Sequence, residues 1–378
     1  MKSVYLTKIE KYLPNKAISN EEMESYLSLV NGNESKSRGL VLRSNQIKTR
    51  YYAIDEAGNP THNNAQLTAL AIRKLFNGKI KLEDIDLLTA GTSSPDTIQP
   101  SHALMVHGEL GGPNMEVMSA HGTCNSAMLS LKYAFMSILS EQAKTAVCAG
   151  SEVFSSWMQA KNFDTEIDQR KAIEDNPYIA FEKDFLRWML SDGAAAVLLQ
   201  DKPNSEGISL KIEWIDIKSY ANELESCMYA GCIKNKDGSV KGWRELSTDE
   251  QNIQSVFSLK QDARLLQKNI TDTGIRLLID IIKKRQFDVD TIDHFLPHIS
   301  SMFFKKEIYQ QFSKHGVIIP EEKWFLNLTK VGNVGAASAF LMLEELFNSN
   351  KLKKGERILV MVPESARFSH TYMLLTVV

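Results

Sequence analysis

The sharpest chemical signal in the chain is Ala120-His121-Gly122-Thr123-Cys124-Asn125-Ser126-Ala127, followed at once by an apolar face at helical spacing. A thiol at the first turn of a helix lies in the positive end of the helix dipole, where unpaired backbone N–H groups stabilise a thiolate. The small residues Gly122, Ser126 and Ala127 leave room for a thioester to approach. That chemistry would be acyl transfer to sulfur. The competing reading is a small, inert core cysteine, which is what most buried cysteines are. Two other segments bear on the choice. Phe295-Leu296-Pro297-His298-Ile299-Ser300 puts a histidine just past a strand end. Lys330-Val331-Gly332-Asn333-Val334-Gly335-Ala336-Ala337-Ser338-Ala339 is a glycine-rich turn opening a helix. Singly, each is an ordinary structural feature. Their order points to a site: a thiol in the first half, a histidine and an asparagine in the second.

Other groupings carry less. His294 and His298 are four residues apart, and His121 and Cys124 three. A metal needs more ligands on one rigid face, so none is expected. Lys351-Leu352-Lys353-Lys354-Gly355-Glu356-Arg357 reads as a solvated basic turn before a strand. No glycine loop of the P-loop type is present.

Rigid elements must hold these groups. Ile85 to Gly91 reads as a buried strand, with a helix over Leu67 to Phe76 before it. Ser126 to Leu139 reads as the helix behind the cysteine. Strands are expected at Thr145 to Ala149 and Ala194 to Leu199, following Ser191-Asp192-Gly193. After the turn-rich Lys202 to Gly207 the pattern restarts. Gly207 to Ile217 is strand-like, Leu265 to Lys284 is a long helix, and a short strand runs from Ile292 to Pro297. A helix over Ala336 to Leu346 and strands at Arg357 to Val362 and Tyr372 to Val378 complete it. Ser219 to Ser258 and Asn31 to Ser44 read as polar loops. Strand–helix alternation in both halves predicts α/β layers.

Composition agrees. The chain has 378 residues, 43% hydrophobic and 24% charged, with a formal charge of −2. That length exceeds one ordinary core. The charge is not tuned for nucleic acid or an anionic membrane. Cys124, Cys148, Cys227 and Cys232 form no C-x-x-C pair. No segment is apolar over a membrane-spanning length, and the start lacks a signal-peptide pattern. A reduced, cytoplasmic protein is expected, in which a thiol stays free.

Taken together, the segments resemble the β-ketoacyl-acyl-carrier-protein synthase III family of the thiolase superfamily, nearly end to end. Tyr12 to Glu22 is similar to that family's opening. Ile85-Asp86-Leu87-Leu88 through Thr92-Ser93-Ser94-Pro95-Asp96, with Pro100-Ser101 and Leu110-Gly111, resembles its central strand and following loop. Ala149-Gly150-Ser151-Glu152, Ser191-Asp192-Gly193-Ala194-Ala195-Ala196, and Gly332-Asn333 with Ala336-Ala337-Ser338 match as well. The resemblance implies a thiolase fold, two similar α/β halves in a five-layer αβαβα arrangement, usually as a homodimer. Residues 1–203 would carry the nucleophile and residues 204–378 the histidine and asparagine. It implies Cys124 as the acylated nucleophile, with His298 and Asn333 donating hydrogen bonds to an enolate oxygen. The implied substrates are small acyl thioesters of acyl carrier protein or coenzyme A. Acyl carrier protein is the implied partner, and no bound cofactor is expected.

The departures are specific. The family's late glycine-rich loop is replaced by Val362-Pro363-Glu364-Ser365-Ala366-Arg367-Phe368, which adds Glu364 as a candidate for proton transfer. A surface pairing of Glu364 with Arg367 is the alternative. The Gln-Ala-Asn stretch and arginine after the histidine become Ile299-Ser300-Ser301-Met302-Phe303, with Lys305 and Lys306 as candidates for docking an acidic carrier protein. The tryptophan that clamps coenzyme A has no counterpart in Arg43-Ser44-Asn45-Gln46-Ile47. These changes resemble ketosynthases of secondary metabolism, such as those making dialkylresorcinols, flexirubin-type or aryl-polyene pigments. The alternatives are a housekeeping decarboxylating synthase of fatty-acid initiation and a non-catalytic chain-length-factor-like partner. The latter usually lacks the nucleophile. A hydroxymethylglutaryl-CoA synthase would want a glutamate base with a matching motif, which is not found. A type III polyketide synthase shares the Cys-His-Asn set, but the flanking segments fit synthase III better.

Overall fold

Gly193 to Gln200 shows why the molecule is layered. Seven of its eight residues are buried, so the strand must be covered on both faces. The computed structural model describes residues 2–30, 32, 34–35, 37–76, 80–162 and 185–378. Its main elements, in chain order, are β1 (Tyr5–Tyr12), α1 (Asn64–Arg73), β2 (Leu87–Thr92), α2 (His102–Leu110), β3 (Glu116–His121), α3 (Ser126–Leu139), β4 (Thr145–Glu152) and β5 (Gly193–Gln200). There follow β6 (Leu210–Ser219), α4 (Ala263–Arg285), β7 (His294–Pro297), α5 (Phe303–Lys314), α6 (Ser338–Phe347), β8 (Arg357–Pro363) and β9 (Ser369–Val377).

The strands form one sheet in the order β7-β8-β9-β6-β1-β5-β4-β2-β3. It is joined at its middle by only two residue pairs between β1 and β6, Tyr5 with Lys211 and Leu6 with Leu210. On either side of that join the chain repeats one plan. β2 lies parallel to β3 and β4, and β5 returns antiparallel. Likewise β7 lies parallel to β8, and β9 returns antiparallel. The second side lacks a counterpart of β3. What remains is a single bridge of Trp324 to Phe295, where Phe325 N–H donates to Phe295 O at 2.8 Å.

Helices fill the layers. α1 packs on β5, β4 and β1, and α2 on β2 and β3. α3 contacts β2, β3 and β4, while α6 contacts β1, β5, β7 and β8. α4 rests on β8 and β9, with α5 against it. The arrangement is αβαβα, with α3 and α6 in the middle. α6 is buried nearly all round, Phe340, Leu341 and Leu343 completely. Each such side chain contributes about 1.5–3 kcal/mol of burial.

Two expected loops hold structure. Within the Asn31 to Ser44 stretch, Arg38–Asn45 is a helix. Tertiary contacts outweigh its weak local pattern: Arg38 pairs with Glu24 at 2.8 Å, and Asn45 Nδ2 donates to Trp188 O at 3.0 Å. Residues 31, 33 and 36 of that stretch lie outside the described residues. The Ser219 to Ser258 excursion contains a hairpin, Cys232–Lys234 with Val240–Gly242, and a helix over Thr248–Ile253. Its start, Met228–Tyr229, pairs with Lys260–Gln261. The expected helix at Ala336 opens as a tight turn, Gly335–Ala337, before α6 begins at Ser338.

Candidate active site

Cys124 sits in the turn from β3 into α3, one residue before the Asn125 cap. Ser126 N–H donates to Thr123 O at 2.9 Å, closing that turn. Asn125 ties it to the other half: its Nδ2 donates to Ser369 Oγ at 3.2 Å, and its Oδ1 accepts from Thr371 Oγ1. The thiol is buried. Burial raises it well above the usual thiol range, and the negative charges of Glu364 and Glu152 push it further. The expected stabilisation of a thiolate by the helix start is therefore outweighed. Desolvation and two nearby carboxylates disfavour a buried anion more than a few N–H groups favour it. The resting site holds a neutral thiol. Cys148, on β4, is also buried and pushed up to about 12.

His298 follows β7, held by its N–H to Met361 O at 2.8 Å. It shares a cavity with Cys124, walled by Leu266 and Ile270 of α4 and by Phe304 and Ile308 of α5. Burial lowers the imidazole to about 4, so it is neutral at pH 7 and free to take a proton or to donate N–H. Asn333 shares a second cavity with Cys124, lined also by Ser93, Phe154, Met228 and Gln261. Its backbone is gripped by the loop before β5: Asn333 N–H donates to Met189 O at 3.0 Å, and Ser191 N–H to Asn333 O at 2.9 Å. Its Oδ1 accepts from Gly335 N–H at 3.0 Å, which leaves Nδ2 as the donor toward the cavity. The two partners singled out by order in the sequence thus share cavities with the thiol.

Three acidic residues organise the surroundings. Glu152 is fully buried at the end of β4 and accepts from Ser93 Oγ (2.8 Å), Ser94 Oγ (2.6 Å) and Ala336 N–H (3.0 Å). It links the end of β2 to the asparagine loop, and burial raises it to about 7. Gly335 has φ +46, and a Cβ there would stand 2.7 Å from Glu152 Oε1. Asp192 accepts from Phe154, Ser155 and Ala53 N–H at 2.6, 2.9 and 2.7 Å, which fixes the loop that grips Asn333. Nearby, Gly150 of β4 lies where the two central helix starts meet. A Cβ there would be 2.7 Å from Ala127 Cβ and 2.8 Å from Ala336 O.

Glu364 is the third. It is buried, yet it lines neither cavity that holds Cys124. Its carboxylate accepts from Thr123 Oγ1, from Ala366 N–H at 2.7 Å, from Arg367 N–H at 3.2 Å and from Ser369 N–H at 3.0 Å. Four donors use all the lone pairs that a carboxylate offers. It is placed as the knot of the 364–369 turn rather than as a free proton carrier. It does not form the surface pair with Arg367, whose Nε donates to Leu224 O at 3.2 Å. The knot extends outward: Cys227 N–H donates to Ala366 O at 2.7 Å, which docks the excursion over the site. Thr123, Glu152 and Gln261 were not assigned a place in the site, since what joins them to it is tertiary. Glu152 alone had a signal, in Gly150-Ser151-Glu152.

Lys305 and Lys306 lie on α5, whose other face walls the His298 cavity, so they sit near the site and not in it. Lys305 pairs with Glu321 at 2.7 Å, whereas Lys306 is exposed. His294 pairs with Glu356 at 3.1 Å. Among the described residues, no group of three or more His, Cys, Asp or Glu is placed to hold a metal ion. None of their helices is long and apolar enough to cross a membrane.

Comparison with known proteins agrees with this geometry. The family described as "3-Oxoacyl-[acyl-carrier-protein (ACP)] synthase III C terminal" matches residues 282–363, which include His298 and Asn333. The "Beta-ketoacyl synthase, N-terminal domain" matches residues 100–204, which include Cys124. A β-ketoacyl-[acyl-carrier-protein] synthase III of Clostridium perfringens is 26% identical over 361 residues, 95% of each chain. The chain is thus similar to synthase III-type condensing enzymes over nearly its whole length. A second such synthase, from Rickettsia prowazekii, is 24% identical and covers 92% of each chain. The fold of this condensing enzyme is that of a tetronic acid condensing enzyme, with a TM-score of 0.77 at 19% identity over 99% of both chains. Synthase III of Pseudomonas aeruginosa superposes with a TM-score of 0.71 at 16% identity, over 99% of this chain and 98% of that one. OleA of Xanthomonas campestris does so with 0.72 at 17%, over 99% and 98%. The expected thiolase fold and acyl-transferring condensing activity are thereby established.

Proposed function

We propose that the enzyme joins two acyl groups through an acyl-Cys124 intermediate, and that one of its two substrates is already functionalised beyond a simple acyl chain. The observation that carries this is the position of Cys124 at the meeting of two cavities, one holding His298 and the other Asn333. Neutral His298 takes the Cys124 proton as sulfur attacks the first thioester. The tetrahedral intermediate collapses, and the leaving thiolate takes the proton back. A second thioester then loses a proton or carbon dioxide at its α-carbon. Its enolate oxygen is held by N–H of His298 and Nδ2 of Asn333. When it is a proton that is lost, neutral His298 takes it. The enolate carbon attacks the acyl carbonyl and expels Cys124 as thiolate, which is reprotonated by that imidazolium or, where carbon dioxide was lost instead, by a proton from solvent.

Secondary metabolism of the dialkylresorcinol or aryl-polyene kind is the context we favour, on the replaced loop around Glu364. The tetronic acid condensing enzyme and OleA are consistent with it. The named synthase III relatives favour a second reading, a decarboxylating synthase of fatty-acid initiation. Those names also support an acyl carrier protein as donor, with Lys306 in its footprint. A homodimer is supported by β3, an edge strand with half-covered side chains beside the exposed Leu104, Leu129 and Met136.

The experiment supplies a β-ketoacyl thioester and a second acyl thioester without a malonyl donor. Condensed product is expected, by mass. Product only when malonyl donor is added would leave the decarboxylating synthase.

A further inference from the structure

Among the side chains lining the cavity shared by Cys124 and Asn333, Gln261 carries a buried polar atom that nothing satisfies and that the reaction above does not use. Gln261 is 2% exposed, and its Oε1 is buried without a hydrogen-bond partner. Neither end of its amide bonds to a described residue. The cavity wall is mixed: Phe154, Met189, Leu190 and Met228 are apolar, while Ser93, Thr123, Ser300 and Ser365 bring hydroxyls, none of which bonds to the Gln261 amide.

Its position is built, not incidental. Gln261 pairs with Met228 in a two-residue ladder, and Asp262 N–H donates to Cys227 O at 2.7 Å. Cys227 and Met228 N–H in turn donate to Ala366 O, in the turn knotted by Glu364. The amide is thus held at the wall of the cavity that Cys124 also lines, by the loop system tied to the 364–369 turn. A buried amide without a partner is unfavourable, and an apolar side chain of equal size would avoid the penalty. The amide is accounted for when the ligand brings the missing partner.

We propose that Gln261 selects the acyl group that Cys124 accepts. That acyl chain carries an oxygen, as ketone or hydroxyl, on one of the first carbons beyond the thioester carbonyl. Nε2 donates to a ketone, and Oε1 accepts from a hydroxyl, so one amide serves either form. The inference rests on Cys124 as the acyl acceptor.

The test uses the full-length enzyme and Gln261→Met, with Gln261→Leu as a second variant. Butanoyl and octanoyl thioesters are supplied unsubstituted, 3-oxo and 3-hydroxy, and the rate of Cys124 acylation is followed by intact mass. The wild type is expected to favour an oxygenated chain over its unsubstituted match by about tenfold or more, and the variants to lose that preference. Their melting temperature should equal or exceed that of the wild type, because an unpaired amide has been removed. Absence of a preference in the wild type, or its survival in the variants, overturns the proposal. A lowered melting temperature with the preference intact makes Gln261 structural. Failure of the wild type to acylate with any of the six thioesters removes the nucleophile assignment, and the selector with it.

Discussion

In the first half of the sheet, β3 is a complete strand and hands the chain to α3 through the short turn that holds Cys124. In the second half the corresponding strand has shrunk to the bridge between Trp324 and Phe295, and an irregular segment carries Asn333 to α6. A full strand places one atom with little freedom, which suits a nucleophile. A loop can lean across the interface and be gripped from the far side, as Asn333 is by Met189 and Ser191. The halves share a plan and divide the labour. In the proposed reaction the first supplies the atom that is acylated, and the second the donors and the cover.

That division can be broken most visibly at its centre. Cys124→Ala should abolish the covalent acyl adduct, read by intact mass. Asn333→Ala should still yield the adduct but slow condensation by about 100- to 1000-fold, the usual effect of losing a donor to a developing oxyanion. His298→Ala, which also removes the base for the neutral thiol, should slow acylation as well as condensation. Loss of acylation in Asn333→Ala would erase the distinction between the halves.

The next effect falls on the seam. Glu364→Gln keeps one acceptor oxygen and turns an NH2 group toward backbone donors. It should lower unfolding stability by about 1–3 kcal/mol, read by denaturant titration. Acylation should fall as well, since Thr123 and the cover over the site lose their common anchor.

A pH dependence sharpens the comparison further. Burial raises Glu152 of the first half from 4.5 to about 7, so the folded protein binds that proton more tightly than the unfolded chain does. Its contribution to stability falls as pH rises from about 4.5 to 7. His298 of the second half is lowered from 6.5 to about 4, so its contribution grows as pH rises across that interval. Glu152→Gln removes the falling part. Relative to wild type, its stability should improve by on the order of 1–3 kcal/mol between pH 4.5 and 7.5. A constant difference would mean that Glu152 stays ionised throughout.

The smallest effect is expected at the rim. Charge reversal of Lys305 and Lys306 should raise the Michaelis constant for carrier-linked substrate by a factor of about 2–5, less at high salt, and spare a small thioester mimic. Lys306 should account for most of it, since Lys305 is already paired with Glu321.

Much of this was legible in the sequence, for identifiable reasons. α3 was bounded correctly because its apolar face begins directly after a capping-type residue and ends at Leu139. Cys124, His298 and Asn333 stood out through their order along the chain and the family resemblance of the segments around them, since each motif alone is ordinary. β1 and β3 went unread. Lys8, Glu10 and Lys11 interrupt the first, and the second is a half-exposed edge without clear alternation. The charge state of the thiol was also hidden, because Glu152 and Glu364 approach it from distant parts of the chain. For the same reason Gln261 looked like one more polar residue at the end of a loop.

Gly150 has a practical consequence for anyone wishing to change what the enzyme makes. A saturation library at that position, selected for turnover, should return glycine codons alone, because any larger residue drives the two central helices apart. Diversity is better spent at Phe154, Met228 and Gln261, which face the same chemistry from elements that can be redrawn without moving its foundations.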